Sequence, residues 1–143
     1  MILTDDGAIE RLTLRMIDRT LPKADWTHAG HFAAALWLLR FRPELTEPAR
    51  MRRLITRYNE ATGTPNTDSG GYHHTITRAS MRAASDHLRR HGPDAPLSGV
   101  LAALMASPLG RPGWLLSYWR RETLFGVEAR RRWVAPDLAP LPF

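Results

Sequence analysis

The chain has 143 residues, of which 43% are hydrophobic and 24% charged, and its formal net charge is +6. A single domain of this size buries about two thirds of the surface that its unfolded chain exposes, so we expect folding without disulfides or structural metals. The absence of cysteine excludes thiol catalysis, iron–sulfur clusters and cysteine-ligated zinc.

The sequence contains no apolar run of the roughly 18 residues that a membrane-spanning helix needs. The first ten residues include Asp5, Asp6 and Glu10 and no early basic cluster, which is not the pattern of a signal peptide. These features predict a cytoplasmic protein that does not associate with membranes.

Almost all of the basic residues are arginine, with 19 Arg and one Lys. The arginines are scattered, and Ala, Pro and Gly, which share GC-rich codons, are also common, so genome composition accounts for much of the bias. We therefore favour a weakly basic, solvated surface over nucleic-acid binding. Guanidinium groups also suit small carboxylates and phosphates.

The composition favours helices, because 19 Leu and 18 Ala stand against only 8 Ile plus Val. The first predicted helix covers about 5–19, with Thr4 or Asp5 as its cap. The second covers about 27–42 and ends before Pro43. Its middle is apolar on all sides, which predicts a buried helix.

The third predicted helix has Thr46 as its cap and Pro48 in its first turn, and it ends at Gly63. A polar, turn-rich loop over 64–71 follows. Pro, Asn, Asp, Ser and Gly together make up most of this loop, so we expect no regular structure there.

A fourth helix is predicted over about 72–90, with Ser69 or Asp68 as its cap. The remaining elements are shorter: helices over about 97–106, 114–121 and 127–133, then an extended strap over 136–143. We therefore predict an all-α protein in one domain over 1–143, a four- or five-helix bundle with a C-terminal segment that wraps the outside.

Four of the six histidines form two pairs, His28 with His31 and His73 with His74. Residues three apart share a helix face, so His28 and His31 point the same way. If the second and fourth helices pack side by side, His28, His31 and His73 converge. Three imidazoles suit a divalent transition metal such as Zn, Fe, Ni or Cu.

Two other readings of the histidines remain open. Without a metal, His73 and His74 would act as acid–base groups, because imidazole titrates near neutral pH. Alternatively, these side chains have only structural contacts, as we expect for His87 and His91 near a helix end.

Several motifs of this chain resemble those of a family of small uncharacterised bacterial proteins. One is the W-T-H-x-x-H run at the start of a helix, from Trp26 to His31, and another is a G-Y-H-[EH]-T-I-T run over 71–77. The resemblance implies a single site. It would contain His28, His31, Tyr72, His73, Thr75 and Thr77. The family usually has Glu where this chain has His74, so a neutral or cationic group replaces an anionic one.

The candidate site residues carry three roles. His73, His74 and Tyr72 are predicted to be catalytic, and His28, His31 and His73 to bind a metal. Substrate contacts are predicted for Trp26, Thr75, Thr77, Trp119 and Arg121, since aromatic rings wall pockets and arginine binds carboxylates.

These residues predict an enzyme that acts on a small organic substrate, aromatic or carboxylate, with metal-assisted chemistry favoured. The first alternative is a metal-free acid–base enzyme that catalyses a condensation or cyclisation. The second is a non-enzymatic module that binds a protein or a nucleic acid through the basic third helix. That surface would contain Arg50, Arg52, Arg53 and Arg57. The sequence leaves a homodimer open.

Overall fold

A computed structural model describes residues 2–143, and all regular structure in this range is helical. The predicted all-α bundle is thereby confirmed. Five helices have at least ten residues and two are short, and single 3₁₀ turns connect several of them. No helix in the described range is long and apolar enough to cross a bilayer. The helices are α1 (Asp6–Ile17), α2 (His28–Phe41), α3 (Pro48–Ala61), α4 (His74–His91), α5 (Leu97–Ala106), α6 (Arg121–Leu124) and α7 (Val127–Arg131).

Helix α2 lies at the centre of the bundle and packs against α1, α4 and α5. Every residue over 32–38 is buried, as its all-round apolar sequence predicts. Thr27 caps the helix, because its hydroxyl accepts a hydrogen bond from the Gly30 N–H at 3.1 Å. The chain leaves the helix at Arg42, just before Pro43.

The cap of α3 differs from the prediction. Glu47 is the capping residue, and its carboxylate accepts hydrogen bonds from the N–H groups of Ala49 and Arg50 at 3.2 and 3.1 Å. Thr46 lies in the preceding 3₁₀ turn, where its hydroxyl donates to the Pro43 carbonyl at 2.6 Å. A carboxylate here satisfies two free N–H groups and also interacts favourably with the helix dipole.

The start of α4 is also corrected, because its cap is His73 rather than Ser69 or Asp68. The Nδ1 atom of His73 accepts a hydrogen bond from the Ile76 N–H at 3.1 Å. Asp68 instead forms a two-bonded ion pair with Arg131 in α7, with distances of 2.8 and 2.6 Å. The helix therefore begins two residues later than its periodicity predicts.

The C-terminal part covers the bundle in short pieces. The helix predicted over 114–121 is instead a 3₁₀ turn at Trp114–Ser117, and α6 begins only at Arg121. The segment over 136–143 has no regular structure and lies against the bundle, as predicted for a strap. Its Leu138 N–H donates to the Tyr118 carbonyl at 2.9 Å, and the Phe143 ring lies 6.0 Å from that of Trp114.

Thr75 fastens this C-terminal part to α4. Its fully buried hydroxyl donates to the Arg132 carbonyl at 2.8 Å and accepts from the Val134 N–H at 3.1 Å. Trp119 is fully buried beside it and donates its indole N–H to the Val134 carbonyl at 2.9 Å. The sequence predicted substrate contacts for Thr75 and Trp119. That assignment stays a prediction, and in this structure neither side chain has exposed surface.

We expect Thr75→Val to lower the free energy of unfolding by about 1–3 kcal/mol, because the isosteric side chain removes two hydrogen bonds, to the Arg132 carbonyl and from the Val134 N–H, each worth about 0.5–1.5 kcal/mol. Urea denaturation measures this loss. Thr56→Val is the matched control, since the Thr56 hydroxyl bonds only to the Arg53 carbonyl on the helix surface. Equal losses in the two variants would contradict the role assigned to Thr75.

Candidate functional site

A cavity of about 450 Å³ opens between α2, α3 and α4 and is completed by residues of the loop before α4 and by α7. We call it the central cavity. Its volume is in the range of roughly 300–1,000 Å³ that small-molecule sites occupy. The wall is mainly apolar. Its polar side chains are Lys23, His31, Asn59, Thr64, Tyr72, His73, Thr77, Ser80 and Arg130.

A smaller cavity of about 150 Å³, which we call the inner cavity, adjoins the central one. The two cavities share four lining residues: His31, Ile76, Ser80 and Phe125. Of these two cavities, His28 and Trp114 line only the inner one. The pair of histidines at the start of α2 therefore borders both spaces, with His31 at their junction.

The His31 ring packs against Trp26 and is accessible from both cavities. Its side chain is exposed, because it borders both cavities, and its ring centroid lies 4.2 Å from that of Trp26. Within residues 2–143, no group forms a hydrogen bond with its ring nitrogens. Both nitrogens are therefore available to a bound molecule.

The protein packed around the His31 ring desolvates it even though the cavities leave it exposed. This desolvation, followed by the electrostatic interactions with His28 and Lys23, lowers the pKa of His31 from 6.5 to about 4. The ring is consequently neutral at physiological pH. A neutral imidazole has one N–H donor and one lone pair, so His31 can both donate and accept a hydrogen bond in the cavity.

His73 has no such freedom. Its Nδ1 accepts the capping hydrogen bond from Ile76, and its Nε2–H donates to the Leu124 carbonyl at 2.7 Å. Only 7% of the residue is exposed, and burial lowers its pKa. Because both nitrogens are in use, the prediction that His73 is catalytic or metal-binding is not supported by its geometry. Its role is to cap α4 and to hold the end of α6.

The predicted metal site is not assembled. His28 donates its Nε2–H to the Leu109 carbonyl at 2.8 Å, and His73 has no lone pair left. In the described part of the chain, no three His, Asp or Glu side chains are grouped so that they could hold a metal ion. These residues therefore do not fit the three-histidine site, and a Zn, Fe, Ni or Cu cofactor stays a prediction of the sequence alone.

Tyr72 and His74 form a hydrogen-bonded pair, with 2.8 Å between the Tyr72 hydroxyl and Nδ1 of His74. Burial raises the pKa of Tyr72, and burial followed by the charges of Arg52 and Arg78 lowers the pKa of His74. We therefore assign the proton to the tyrosine, which donates to a neutral imidazole. Tyr72 borders the central cavity, with the Arg52 guanidinium 5.1 Å from the centre of its ring.

The other predicted substrate contacts divide into two groups. Trp26 and Thr77 line the central cavity, and Trp26 stands between His31 and Tyr58. Arg121 is exposed and lies over the Phe125 ring at 5.6 Å, so Phe125 and not Arg121 reaches the cavity wall.

Two cationic residues of the central cavity were not predicted. Arg130 donates from one terminal nitrogen to the carbonyls of Gly71 and Tyr72 at 3.1 and 3.3 Å, and its buried Nε has no partner within residues 2–143. Lys23 lines the same wall, which contains no acidic side chain. Arg130 was one of many scattered arginines in the sequence, and only the packing of α7 against α4 brings it here.

Comparisons of the chain with protein-family models, with curated proteins and with solved structures give no match. The resemblance to small bacterial proteins therefore stays a prediction. Function is inferred from the two adjoining cavities and their polar side chains.

We expect the His31 ring to titrate with a midpoint near pH 4 in histidine NMR spectra of the folded protein. Between this value and 6.5 the unfolded chain binds the proton and the folded chain does not, so stability falls as the pH is lowered through this window. His31→Gln should make that decline shallower. A His31 midpoint near 6.5 would show instead that water surrounds the ring.

Proposed function

We propose that this protein binds a small aromatic carboxylate in the central cavity and exchanges a proton with it through His31. The observation that carries the proposal is the state of His31 itself. It is a neutral imidazole without a hydrogen-bond partner in the described chain, at the junction of two cavities.

The cavity wall supports a ligand with an acidic group and a flat apolar body. Its charged side chains are Lys23 and Arg130, both cationic, so an anion is favoured over a cation. Trp26 and Phe125 offer aromatic surface, and Met81 belongs to the apolar remainder of the wall. A carboxylate placed among these groups would take up the free hydrogen-bonding capacity of the site.

A bound carboxylate would also change His31. In the free protein, desolvation and the electrostatic interactions with His28 and Lys23 disfavour the imidazolium. A nearby anion compensates for both effects and raises the pKa of His31 towards neutral pH, where a general base is most effective. The ligand would thus prepare the base that acts on it.

Tyr72 supplies a second proton-transfer group in the same wall. Its hydroxyl donates to His74 in the free protein. When Tyr72 gives this proton to a ligand instead, the phenolate regains a proton from water, and His74 again accepts the hydrogen bond of the restored hydroxyl. A base and an acid that face one cavity fit a condensation or a cyclisation, in which one atom loses a proton and another gains one. We place this reaction class ahead of metal-assisted chemistry because both nitrogens of His73 are hydrogen-bonded.

The test uses benzoate, cinnamate, anthranilate and indole-3-acetate, singly and in pairs. Ligand-detected NMR measures binding, and mass spectrometry measures product formation. His31→Gln should reduce turnover about 100-fold or more, since it removes the proton-transfer group and keeps a polar side chain. Binding should weaken far less.

His91→Gln is the control variant, because His91 is exposed at the far end of α4 and its Nδ1 bonds only to the His87 carbonyl. It should retain wild-type turnover. Equal turnover in wild type and His31→Gln would disprove the role of His31. The absence of binding by all four acids would disprove the ligand class.

A second candidate function is the binding of a nucleic acid, which one surface favours. A depression of about 320 Å³ is lined by four arginines and three apolar residues and by no acidic side chain. Arg52, which the sequence placed on this surface, instead faces Tyr72 and donates to the Arg131 carbonyl at 2.6 Å. The arginines of the depression are Arg19, Arg50, Arg53 and Arg57.

For this candidate, we expect duplex DNA to bind with an affinity that falls at least tenfold between about 50 and about 200 mM salt. Fluorescence anisotropy measures the affinity. At equal salt concentration, the double variant Arg50→Gln/Arg53→Gln should bind DNA more weakly than the wild type. Arg11→Gln on α1, an exposed arginine outside the depression, is the matched control. Binding that is absent, or that salt does not weaken, would dismiss this function.

A further inference from the structure

A third cavity, of about 580 Å³, lies beside the end of α4, under the C-terminal strap. We call it the lateral cavity. It shares no lining residue with the central cavity, and Trp114 separates it from the inner cavity. The function proposed above makes no use of it.

Two residues of the lateral wall each carry a polar ring atom that is closed off from solvent and has no partner. These atoms are Nδ1 of His87 and the indole Nε1 of Trp114, and neither has a hydrogen bond within residues 2–143. His87 is 9% exposed and Trp114 is 5% exposed. An indole nitrogen is a donor only, so Trp114 requires an acceptor, and a buried donor without one destabilises the protein.

The charge of this wall is also positive. Arg90 and Arg111 line the cavity, and no acidic residue does. Arg90 is held by Asp86 one turn earlier in α4, with 2.8 Å between nitrogen and oxygen. Arg111 is exposed and forms no ion pair or side-chain hydrogen bond with the described residues. Its guanidinium is therefore free to bind an anion.

The remaining wall is suited to a flat apolar body. The Trp114 ring lies 6.0 Å from the ring of Tyr118 and 6.0 Å from the ring of Phe143. Pro108 and Leu109 add apolar surface. Aromatic ligands gain both buried area and edge or face contacts from such an arrangement.

We propose that the lateral cavity is a binding site for an aromatic organic anion, separate from the central site. The carboxylate of the ligand pairs with Arg111. Its ring lies among Trp114, Tyr118 and Phe143.

The experiment follows the indole N–H signals of the ¹⁵N-labelled protein during titration with 2-naphthoate, and Trp114→Phe assigns the signal of Trp114. We expect that signal to move saturably. 2-Naphthamide, which has nearly the same shape but no charge, should bind about tenfold more weakly or worse. Arg111→Gln should weaken naphthoate binding by a similar factor, while Arg11→Gln, an exposed arginine remote from every cavity described here, should not.

Three results would overturn the proposal. The first is a Trp114 signal that does not move, and the second is equal affinity for the naphthoate and the amide. The third is equal binding by Arg111→Gln and wild type; this substitution is at an exposed residue, so loss of fold does not obscure it. Movement of the Trp26 signal alone, abolished in His31→Gln, would support the central site and overturn the lateral one.

Discussion

The requirement that every face of α2 be covered organises the whole structure. Its side chains over 32–38 are apolar in all directions, and each large one that is buried contributes about 1.5–3 kcal/mol to stability. One neighbouring helix cannot supply this cover, so α1, α4 and α5 all pack against α2. The polar histidines of α2 occur only in its first turn, where the surrounding helices leave room for the central and inner cavities.

The same arrangement explains why His31 is unusual. The first turn of α2 lies beside the core, and the surrounding protein desolvates the ring and lowers its pKa. The adjoining cavities nevertheless keep the ring accessible. A proton-transfer site needs a titratable side chain whose pKa is shifted by its surroundings and that a ligand can still reach, and His31 meets both conditions.

The C-terminal half decides which histidines remain available. Carbonyls of Leu109 and Leu124 accept the Nε2–H groups of His28 and His73, across separations of 81 and 51 residues. These two rings become links between distant segments, while His31 and Tyr72 line the central cavity. Neighbouring histidines therefore differ in role. His28 and His73 each donate to a distant carbonyl, whereas His31 and His74 do not.

The sequence by itself determined the five main helices and the burial of α2, because periodicity, caps and prolines act within one or two turns of the chain. It also placed polar groups near the start of α2 and α4. It did not determine that His73 is a cap, that Thr75 and Trp119 hold Val134, or that Arg130 lines the central cavity. Those facts depend on which distant backbone group meets each side chain, and only tertiary packing decides that. Hydrogen bonds between segments more than 50 residues apart leave no local pattern to read.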